Sequence, residues 1–273
     1  MQKNKIKTSA FCWLSEPKKL MYPYEESIKS VSNICDEVVV IVSDSIERPL
    51  ELEVFEFLSK IENVKVVIEE DWPLFIDSTY ETYRKALQKA LDLSNGDLVL
   101  KFDADNVFKD SFREVFNSVT SHISYIPRVN FFGKGTFKIN SSSRDTYILN
   151  AERCLTEGID FWISKKSWGS IGFSSSVETC FFDLSIEEAP VDYDATFFTK
   201  PRVIDHWKNI KLLFRGETIT NEGELLHDFI SYQGRKKQGG IKKDFSFHPE
   251  IIQDRIKNIS SLCWGHNNFE GGS

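Results

Sequence analysis

The stretch Gly96-Asp97-Leu98-Val99-Leu100-Lys101-Phe102-Asp103-Ala104-Asp105-Asn106 decides the fold of this chain. A turn glycine leads into a short apolar run, and two aspartates stand just past its end. An apolar run of this length between turn residues is typical of a buried strand. Open α/β sheets bind ligands beyond the carboxyl ends of their strands, which is where Asp103 and Asp105 would lie.

Two carboxylates one residue apart can reach a single hard cation, and Mg²⁺ or Mn²⁺ in such sites is commonly shared with substrate phosphates. We therefore predict that Asp103 and Asp105 bind Mn²⁺ or Mg²⁺. A solvated acidic turn is the alternative. The spacing alone does not decide between them, because Asp192-Tyr193-Asp194 repeats it. The strand and turn around the first copy favour the metal site.

Strand and helix patterns alternate before this stretch. Extended runs at 7–14, 38–42 and 64–68 are separated by apolar residues at helical spacing over 24–35 and 52–61, and a capping-box pattern, Ser78 to Glu81, opens a further helix. Gly96 stands near where the cap of that helix belongs. This alternation predicts an α/β fold with a mostly parallel sheet flanked by helices. The second half is less regular.

Composition narrows the classes of function. The net charge of −7 argues against non-specific nucleic-acid binding, which needs positive charge to displace counterions. The five cysteines are odd in number, and no pair has zinc-finger or redox spacing, so we expect a reducing compartment. No apolar run approaches the roughly 20 residues of a membrane span. We expect a cytoplasmic protein, with peripheral membrane contact left open.

Two charged residues of the first half are further candidates for the site. Asp44 stands at the end of the second predicted strand, where it could accept a hydrogen bond from a nucleobase or ribose. A turn or helix-cap aspartate is the alternative. Arg84, on the helix before the stretch, could neutralise a diphosphate or pair with Asp103 or Asp105. A solvated arginine is the alternative there.

Three residues of the second half are also candidates. His206 follows an apolar pair and could be a further ligand of Mn²⁺, although a packed or surface histidine is the alternative. Glu178 and Asp183 bracket a short apolar run, and one of them could deprotonate an acceptor hydroxyl as a general base. Ordinary surface acids would explain both equally well. The chain lacks the glycine-rich dinucleotide motif and the P-loop motif.

Together these features resemble the GT-A glycosyltransferases, specifically the family-2-like group. The resemblance runs from Ile6 to Phe108 and continues more weakly to Trp207. It rests on the Glu16 turn after the first strand, the segment from Asp36 to Ser45, the Gly96-Asp97 entry and Asp103-Ala104-Asp105. The segment from Ser167 to Phe173 is also similar to the one that precedes the family's acceptor-side acid.

The resemblance implies roles for these residues. Asp44 would contact the nucleotide base, and Asp103-Ala104-Asp105 would hold the divalent ion on the donor diphosphate, with Arg84 nearby. His206 resembles the late metal-ligand histidine of some GT-A enzymes. The family's Glu-Asp pair, whose aspartate is the base, is not intact here. Phe182-Asp183 stands where it is expected, so Asp183 is the predicted base and Glu178 the reserve.

The implied function is metal-dependent transfer of a hexose or related sugar from a nucleotide-sugar donor, a UDP- or GDP-sugar, to a hydroxyl of a glycan or glycolipid, with inversion by a carboxylate base. The predicted transferase domain covers residues 1–215, with a nucleotide-binding half (1–110) and an acceptor half (111–215). Residues 216–273 would form a loop and helix packed on it. A nucleotide- or glycan-binding protein without activity, or a sugar-phosphate nucleotidyltransferase, are the alternatives. The second is disfavoured because no glycine-rich, lysine-bearing loop follows the first strand.

Overall fold

The computed structural model describes residues 6–15, 17–20, 22–44, 50–70, 76–132, 136–140, 144–165, 169–185, 187–193 and 248–257. The first half forms β1 (Thr8–Leu14), α1 (Pro17–Leu20), α2 (Tyr24–Ile34), β2 (Glu37–Ser43), α3 (Leu52–Ser59), β3 (Val64–Glu69), α4 (Ile76–Asp92) and β4 (Leu98–Lys101). The rest forms β5 (Asn106–Val107), a 3₁₀ helix (Asp110–Ser118), β6 (Ile123–Tyr125), β7 (Arg128–Phe132), β8 (Thr136–Asn140), β9 (Tyr147–Asn150), α5 (Ala151–Thr156), β10 (Phe161–Ile163), β11 (Ile171–Phe173), β12 (Thr179–Phe181), β13 (Val191–Tyr193) and α6 (Glu250–Lys257).

The main sheet has seven strands in the order β12-β6-β9-β4-β1-β2-β3. Strands β4, β1, β2 and β3 are parallel neighbours. Strand β9 is antiparallel to both β4 and β6, and β12 is parallel to β6. Six of the seven strands therefore run in one direction and β9 runs against them. This confirms the predicted α/β class with a mostly parallel sheet flanked by helices.

The central strands of the main sheet are buried on both faces. Alternate residues of a strand point to opposite faces, so Ala10 and Cys12 belong to one core layer and Phe11 to the other. The first layer packs under α2, α3 and the 3₁₀ helix, and the second packs under α4 and α5. Burial on both faces explains the unbroken β-branched run of β2, which is typical of central parallel strands.

A smaller four-stranded sheet, in the order β5-β13-β7-β8, starts where β4 ends. Strand β13 is antiparallel to β5 and parallel to β7. Strands β10 and β11 form a separate antiparallel pair. Because only a short turn links β4 to β5, the small sheet brings residues of the second half to the carboxyl edge of the main sheet.

Two local predictions are wrong. Helix α4 already includes Ile76 and Asp77, so Ser78 does not cap it, and Glu81 bonds the side chain of Arg84. Gly96 lies beyond the end of α4, and its lack of a side chain lets its backbone pack closely against β1. A Cβ atom there would lie 2.5 Å from the backbone nitrogen of Ser9, so a larger residue would displace β1.

Within the described segments, no helix has both the length and the apolar character required to cross a bilayer. The predicted boundary at residue 215 falls outside the described residues and stays a prediction.

Candidate active site

The predicted Asp-x-Asp pair lies in a tight turn at the carboxyl edge of the main sheet. Strand β4 ends at Lys101, and the backbone N–H of Asn106 donates to the carbonyl of Asp103 at 2.9 Å, which closes a four-residue turn. Asp103 and Asp105 are both partly exposed in this turn, and Ala104 between them packs against the core. Both carboxylates therefore stand where open α/β sheets bind ligands.

Asn106 holds this turn together, although it is buried. Its Oδ1 accepts from the backbone N–H of Asp103 and from Oγ1 of Thr146, both at 3.1 Å. Its Nδ2 donates to Oδ1 of Asp105 at 3.2 Å and to Oδ1 of Asp192 at 3.0 Å. A side-chain amide has two donor hydrogens and an oxygen with two lone pairs. All four are used here to fix the turn and a third carboxylate.

Lys101 is the last residue of β4 and is fully buried despite its charge. Its Nζ donates to Oδ1 of Asp103 at 2.6 Å. Burial lowers the pKa of Lys101, but the charge of Asp103, its hydrogen bond to Lys101 and contributions from Tyr83 and Asp145 together outweigh burial and raise the pKa above its ordinary value. Gly169, at φ +65°, covers this ammonium so closely that a Cβ atom there would lie 3.1 Å from Cε of Lys101. Lys101 is thus a charged, sealed partner of Asp103.

Arg128 of β7 joins three carboxylates. One terminal nitrogen lies 3.5 Å from Oδ2 of Asp103, and the other donates to Oδ2 of Asp145 at 3.2 Å. Its Nε lies 3.2 Å from Oδ2 of Asp192, which the pairing of β13 with β5 sets opposite Asn106. Burial raises the pKa of Asp192, and the nearby guanidinium only partly offsets this.

The acidic cluster at this edge contains four carboxylates and two cations, which leaves an excess of two negative charges. Its members are Asp103, Asp105, Asp145, Asp192, Lys101 and Arg128. Oxygen donors with this charge suit Mg²⁺ or Mn²⁺. Among the described residues, no three acidic, histidine or cysteine side chains are grouped closely enough to enclose an ion. A divalent cation at this edge would take its other ligands from substrate oxygens and water.

Asp44 and Arg84 lie outside this cluster. Asp44 directly follows β2 at the same edge, two strands from β4 and so about 10 Å away at the usual strand spacing. Its Oδ1 accepts from the backbone N–H of Leu50 at 3.0 Å. Arg84 pairs with Glu81 through two hydrogen bonds, of 2.8 and 2.6 Å. Among the described residues, the cations that contact Asp103 are Lys101 and Arg128, and a contact of Arg84 with a diphosphate stays a prediction.

The structure separates the two predicted base candidates. Asp183 is exposed and follows the end of β12, which places it at the carboxyl edge. Glu178 precedes β12 and lies at the opposite edge, where its Oε2 accepts from Arg153 at 2.6 Å and its backbone N–H donates to His122. The structure therefore argues against Glu178 as the reserve base, because this residue lies at the edge of the sheet opposite the cluster. His206 lies outside the described residues.

The sequence did not identify five residues of the candidate site. They are Lys101, Asn106, Arg128, Asp145 and Asp192. One signal was available for Lys101, because a lysine inside a buried strand is almost always paired. The second Asp-x-Asp copy was noted for its spacing, and its first aspartate proves to lie in the cluster. Arg128 and Asp145 have no distinctive local pattern, since strand pairing alone brings them to the edge.

No protein-family model matches this chain, and no curated protein matches it. Among solved structures, S. aureus TarS 1-349 in complex with UDP-GlcNAc is 15% identical with a TM-score of 0.45, over 93% of this chain and 82% of that chain. The galactosyltransferase LgtC with donor and acceptor sugar analogues is 13% identical with a TM-score of 0.31, over 54% of this chain and 59% of that one. A putative glucose-1-phosphate thymidylyltransferase from Bacillus anthracis is 12% identical with a TM-score of 0.32, over 56% of this chain and 75% of that one.

Proposed function

We propose that this chain is a GT-A glycosyltransferase that moves a sugar from a nucleotide-sugar donor to an acceptor hydroxyl with the help of Mg²⁺ or Mn²⁺. The observation that carries the proposal is the acidic cluster at the carboxyl edge of β4. Its excess of two negative charges would repel a nucleoside diphosphate. A divalent cation between the cluster and the diphosphate would be attracted to both, so that the negative charge of the cluster would favour binding of the donor.

The residues of the cluster have separable roles in this reaction. Asp103 and Asp105 would supply protein oxygens to the cation, and Asn106 holds both in one arrangement. Lys101 and Arg128 hold the Asp103 carboxylate in place, because each places a cation next to it. When bound, the metal ion would neutralise the charge that develops on the leaving diphosphate.

Asp44 and Asp183 mark the two ends of the same edge. Asp44 follows β2 on the side that we assign to the nucleotide, where it would accept a hydrogen bond from the base or ribose. Asp183 follows β12, three strands from β4, which is about 14 Å at the usual spacing. An acceptor between β4 and β12 would present its hydroxyl to Asp183, which would take the proton as attack on the sugar carbon proceeds. This arrangement favours inversion.

The test is hydrolysis of UDP-, GDP-, CMP- and dTDP-sugars with Mn²⁺, with Mg²⁺ and with a chelator. We expect one nucleotide class to be hydrolysed only with metal, and Asp105→Asn to lower the rate about 100-fold, since a protein oxygen on the cation is lost. Asp110→Asn, an exposed aspartate of the 3₁₀ helix, is the matched control and should retain the rate of the unmodified chain.

Other outcomes would favour the alternatives. A thermal shift with nucleoside diphosphate and Mn²⁺, without hydrolysis of any donor or transfer to any acceptor, would identify a binding protein. Release of pyrophosphate from a nucleoside triphosphate and a sugar 1-phosphate would identify a nucleotidyltransferase. Hydrolysis that survives both the chelator and Asp105→Asn would contradict the metal site.

A further inference from the structure

A row of side chains crosses the main sheet at its carboxyl edge. The strand register places Phe181 beside Tyr125, Tyr125 beside Tyr147, and Tyr147 beside Lys101. The ring centroids are 4.9 Å apart for Phe181 and Tyr125, and 6.3 Å apart for Tyr125 and Tyr147. Because Lys101 bonds Asp103, this row leads from the acidic cluster to the outer strand β12.

The outer end of the row is exposed. Tyr147 and Tyr125 are buried, whereas Phe181 is 44% exposed. A large aromatic side chain that is left in solvent at a ligand-binding edge offers an apolar face to a ligand. Phe181 lies three strands from Lys101, about 14 Å away at the usual spacing. This position suits a second substrate better than the diphosphate of the donor.

Arg144 places a cation over this exposed end. Its guanidinium carbon lies 5.6 Å from the centroid of the Tyr125 ring and 5.9 Å from that of Phe181, and its side chain is exposed. The other five arginines in the described ranges each have a carboxylate partner within ion-pair distance; they are Arg84, Arg113, Arg128, Arg153 and Arg255. Within those ranges, Arg144 has only aromatic rings.

A guanidinium stacked on aromatic rings keeps its N–H edge available for a planar anion. Stacking also holds the long side chain in place, so less conformational entropy is lost when an anion binds. In a chain of net charge −7, a cation at the ligand edge that has no carboxylate partner in the described part of the chain is available to bind an anion from outside the protein.

We propose that Phe181, Tyr125 and Arg144 form the acceptor site, and that the acceptor is a glycan with an anionic group. A sugar ring would stack on Phe181, and its carboxylate or phosphate would bind Arg144. The anion is held here, away from the acidic cluster that would repel it. The assignment to the acceptor rests on the proposed function, in which Asp183, two residues after Phe181, takes the proton of the acceptor hydroxyl.

Equilibrium binding to the full chain tests this proposal without any turnover. The probes are methyl β-glucopyranoside, the corresponding methyl glucuronide, the 6-phosphate of the glucoside, and inorganic phosphate, each titrated by ligand-observed NMR with and without UDP and Mn²⁺. We expect both charged sugars to bind at least about tenfold more tightly than the neutral one, which corresponds to ~1.4 kcal/mol. Inorganic phosphate should bind more weakly than the sugar phosphate, because it has no ring to stack.

Matched variants locate the effect. Arg144→Gln should abolish the preference for charged sugars, and Phe181→Ala should weaken binding of all three sugars severalfold. Arg113→Gln removes a similarly exposed arginine at the opposite edge and should change nothing. Thermal unfolding of each variant checks that the fold is intact. Equal binding of charged and neutral sugars, a preference that survives Arg144→Gln, or an equal loss in Arg113→Gln would overturn the proposal.

The result is separable from the proposed transferase activity. Charged-sugar binding that depends on Arg144, in a chain that hydrolyses no nucleotide sugar, would support the glycan site and contradict the transferase. If donor hydrolysis depends on the metal but sugar binding is unchanged in Arg144→Gln, the glycan site is contradicted and the transferase proposal still stands.

Discussion

Lys101 shows how one residue can determine the chemistry of its neighbours. A charged side chain at the end of a buried strand is stabilised only if an opposite charge meets it. Asp103 supplies that charge two residues later, so the lysine and the aspartate stabilise each other at the carboxyl edge. Removing Asp103 would leave the buried ammonium of Lys101 without its carboxylate, whereas removing Lys101 would still leave Arg128 beside Asp103.

The proposed general base, Asp183, can be tested at the residue scale. Asp183→Asn should lower the rate of sugar transfer by about 10²- to 10⁴-fold, because the acceptor hydroxyl loses its proton acceptor. Binding of the donor should stay unchanged. The measurement is steady-state transfer together with equilibrium binding of the donor.

Glu178→Gln is the control for this substitution. It changes a carboxylate only five positions away in the chain, but one that lies at the opposite edge and pairs with Arg153. It should leave transfer intact. A large loss of transfer in Glu178→Gln, with none in Asp183→Asn, would show that the base is misassigned.

Only part of the site could be predicted residue by residue. Asp103 and Asp105 could be predicted because the residues next to them, an apolar run and a turn, place them just beyond a strand. Asp192 has the same spacing but no comparable apolar run before it, and its position depends on β13 pairing with β5. Local sequence does not encode such a pairing, so the spacing alone gave no reason to select it.

At the scale of single elements, strand β2 is attached at its first residue by a half-buried hydrogen-bond network. Oε2 of Glu37 accepts from Oγ of Ser9 at 2.7 Å and from the backbone N–H of Asn95 at 2.9 Å. Burial raises the pKa of Glu37, but these hydrogen bonds together outweigh it and hold the pKa below its ordinary value of 4.5. The ionised carboxylate therefore stabilises the fold.

This lowered pKa predicts a pH dependence. The stabilisation is fully present above pH 4.5, the ordinary value, and is lost as the pH falls through the lower pKa of the folded state. Glu37→Gln should thus lower the melting temperature at pH 7. Its difference from the unmodified chain should narrow as the pH falls below 4.5. Thermal unfolding between pH 3 and 7 measures this.

Glu56→Gln is the control for the pH series, since Glu56 is exposed on α3. It should give a small difference at every pH. A difference for Glu37→Gln that widens as the pH falls would contradict the assigned direction.

Elements of the first half were predictable because each carries its own periodicity. The β-branched run of β2 and the apolar spacing of α2 specify a strand and a helix without reference to distant residues. The start of α4 was not predictable in this way. A capping-box pattern also occurs inside helices, and here the carboxylate of Glu81 forms an ion pair with Arg84.

At the scale of the whole molecule, the segment formed by His248 and helix α6 links the small sheet to α2. The hydroxyl of Tyr193 and Nδ1 of His248 form a buried hydrogen bond of 2.6 Å, and Arg255 pairs with Glu26 of α2 at 2.9 Å. Ile252 is also fully buried. The segment therefore stabilises the strand that carries Asp192.

Two tyrosines test this long-range link. Tyr193→Phe removes a buried hydrogen bond and should cost about 1–3 kcal/mol, which lowers the melting temperature by a few degrees. Tyr147→Phe is the matched control, because the Tyr147 hydroxyl is buried without a hydrogen-bond partner in the described structure. That change should be neutral or stabilising. Equal losses for the two variants in thermal unfolding would contradict this account.

The two halves of the chain differed in how far they could be predicted. The first half is built from neighbouring strands and helices in chain order, so local patterns sufficed. In the second half the decisive contacts join distant residues, such as Asn106 with Asp192 and Tyr193 with His248. Such contacts have no local signature, which is why the fold class was predicted and most of the cluster was not.

The reversed direction of β9 has a consequence for how such a chain could diversify. Parallel strands deliver to the ligand edge the residues that follow them, whereas β9 delivers the residues that precede it, Arg144 to Thr146. Natural variation at Arg144 would therefore alter the proposed acceptor site, whereas Asp145 and Thr146 bond Arg128 and Asn106 of the acidic cluster. A single reversed strand thus lets one short loop contribute to both proposed sites, and only its first residue can change without disturbing the cluster.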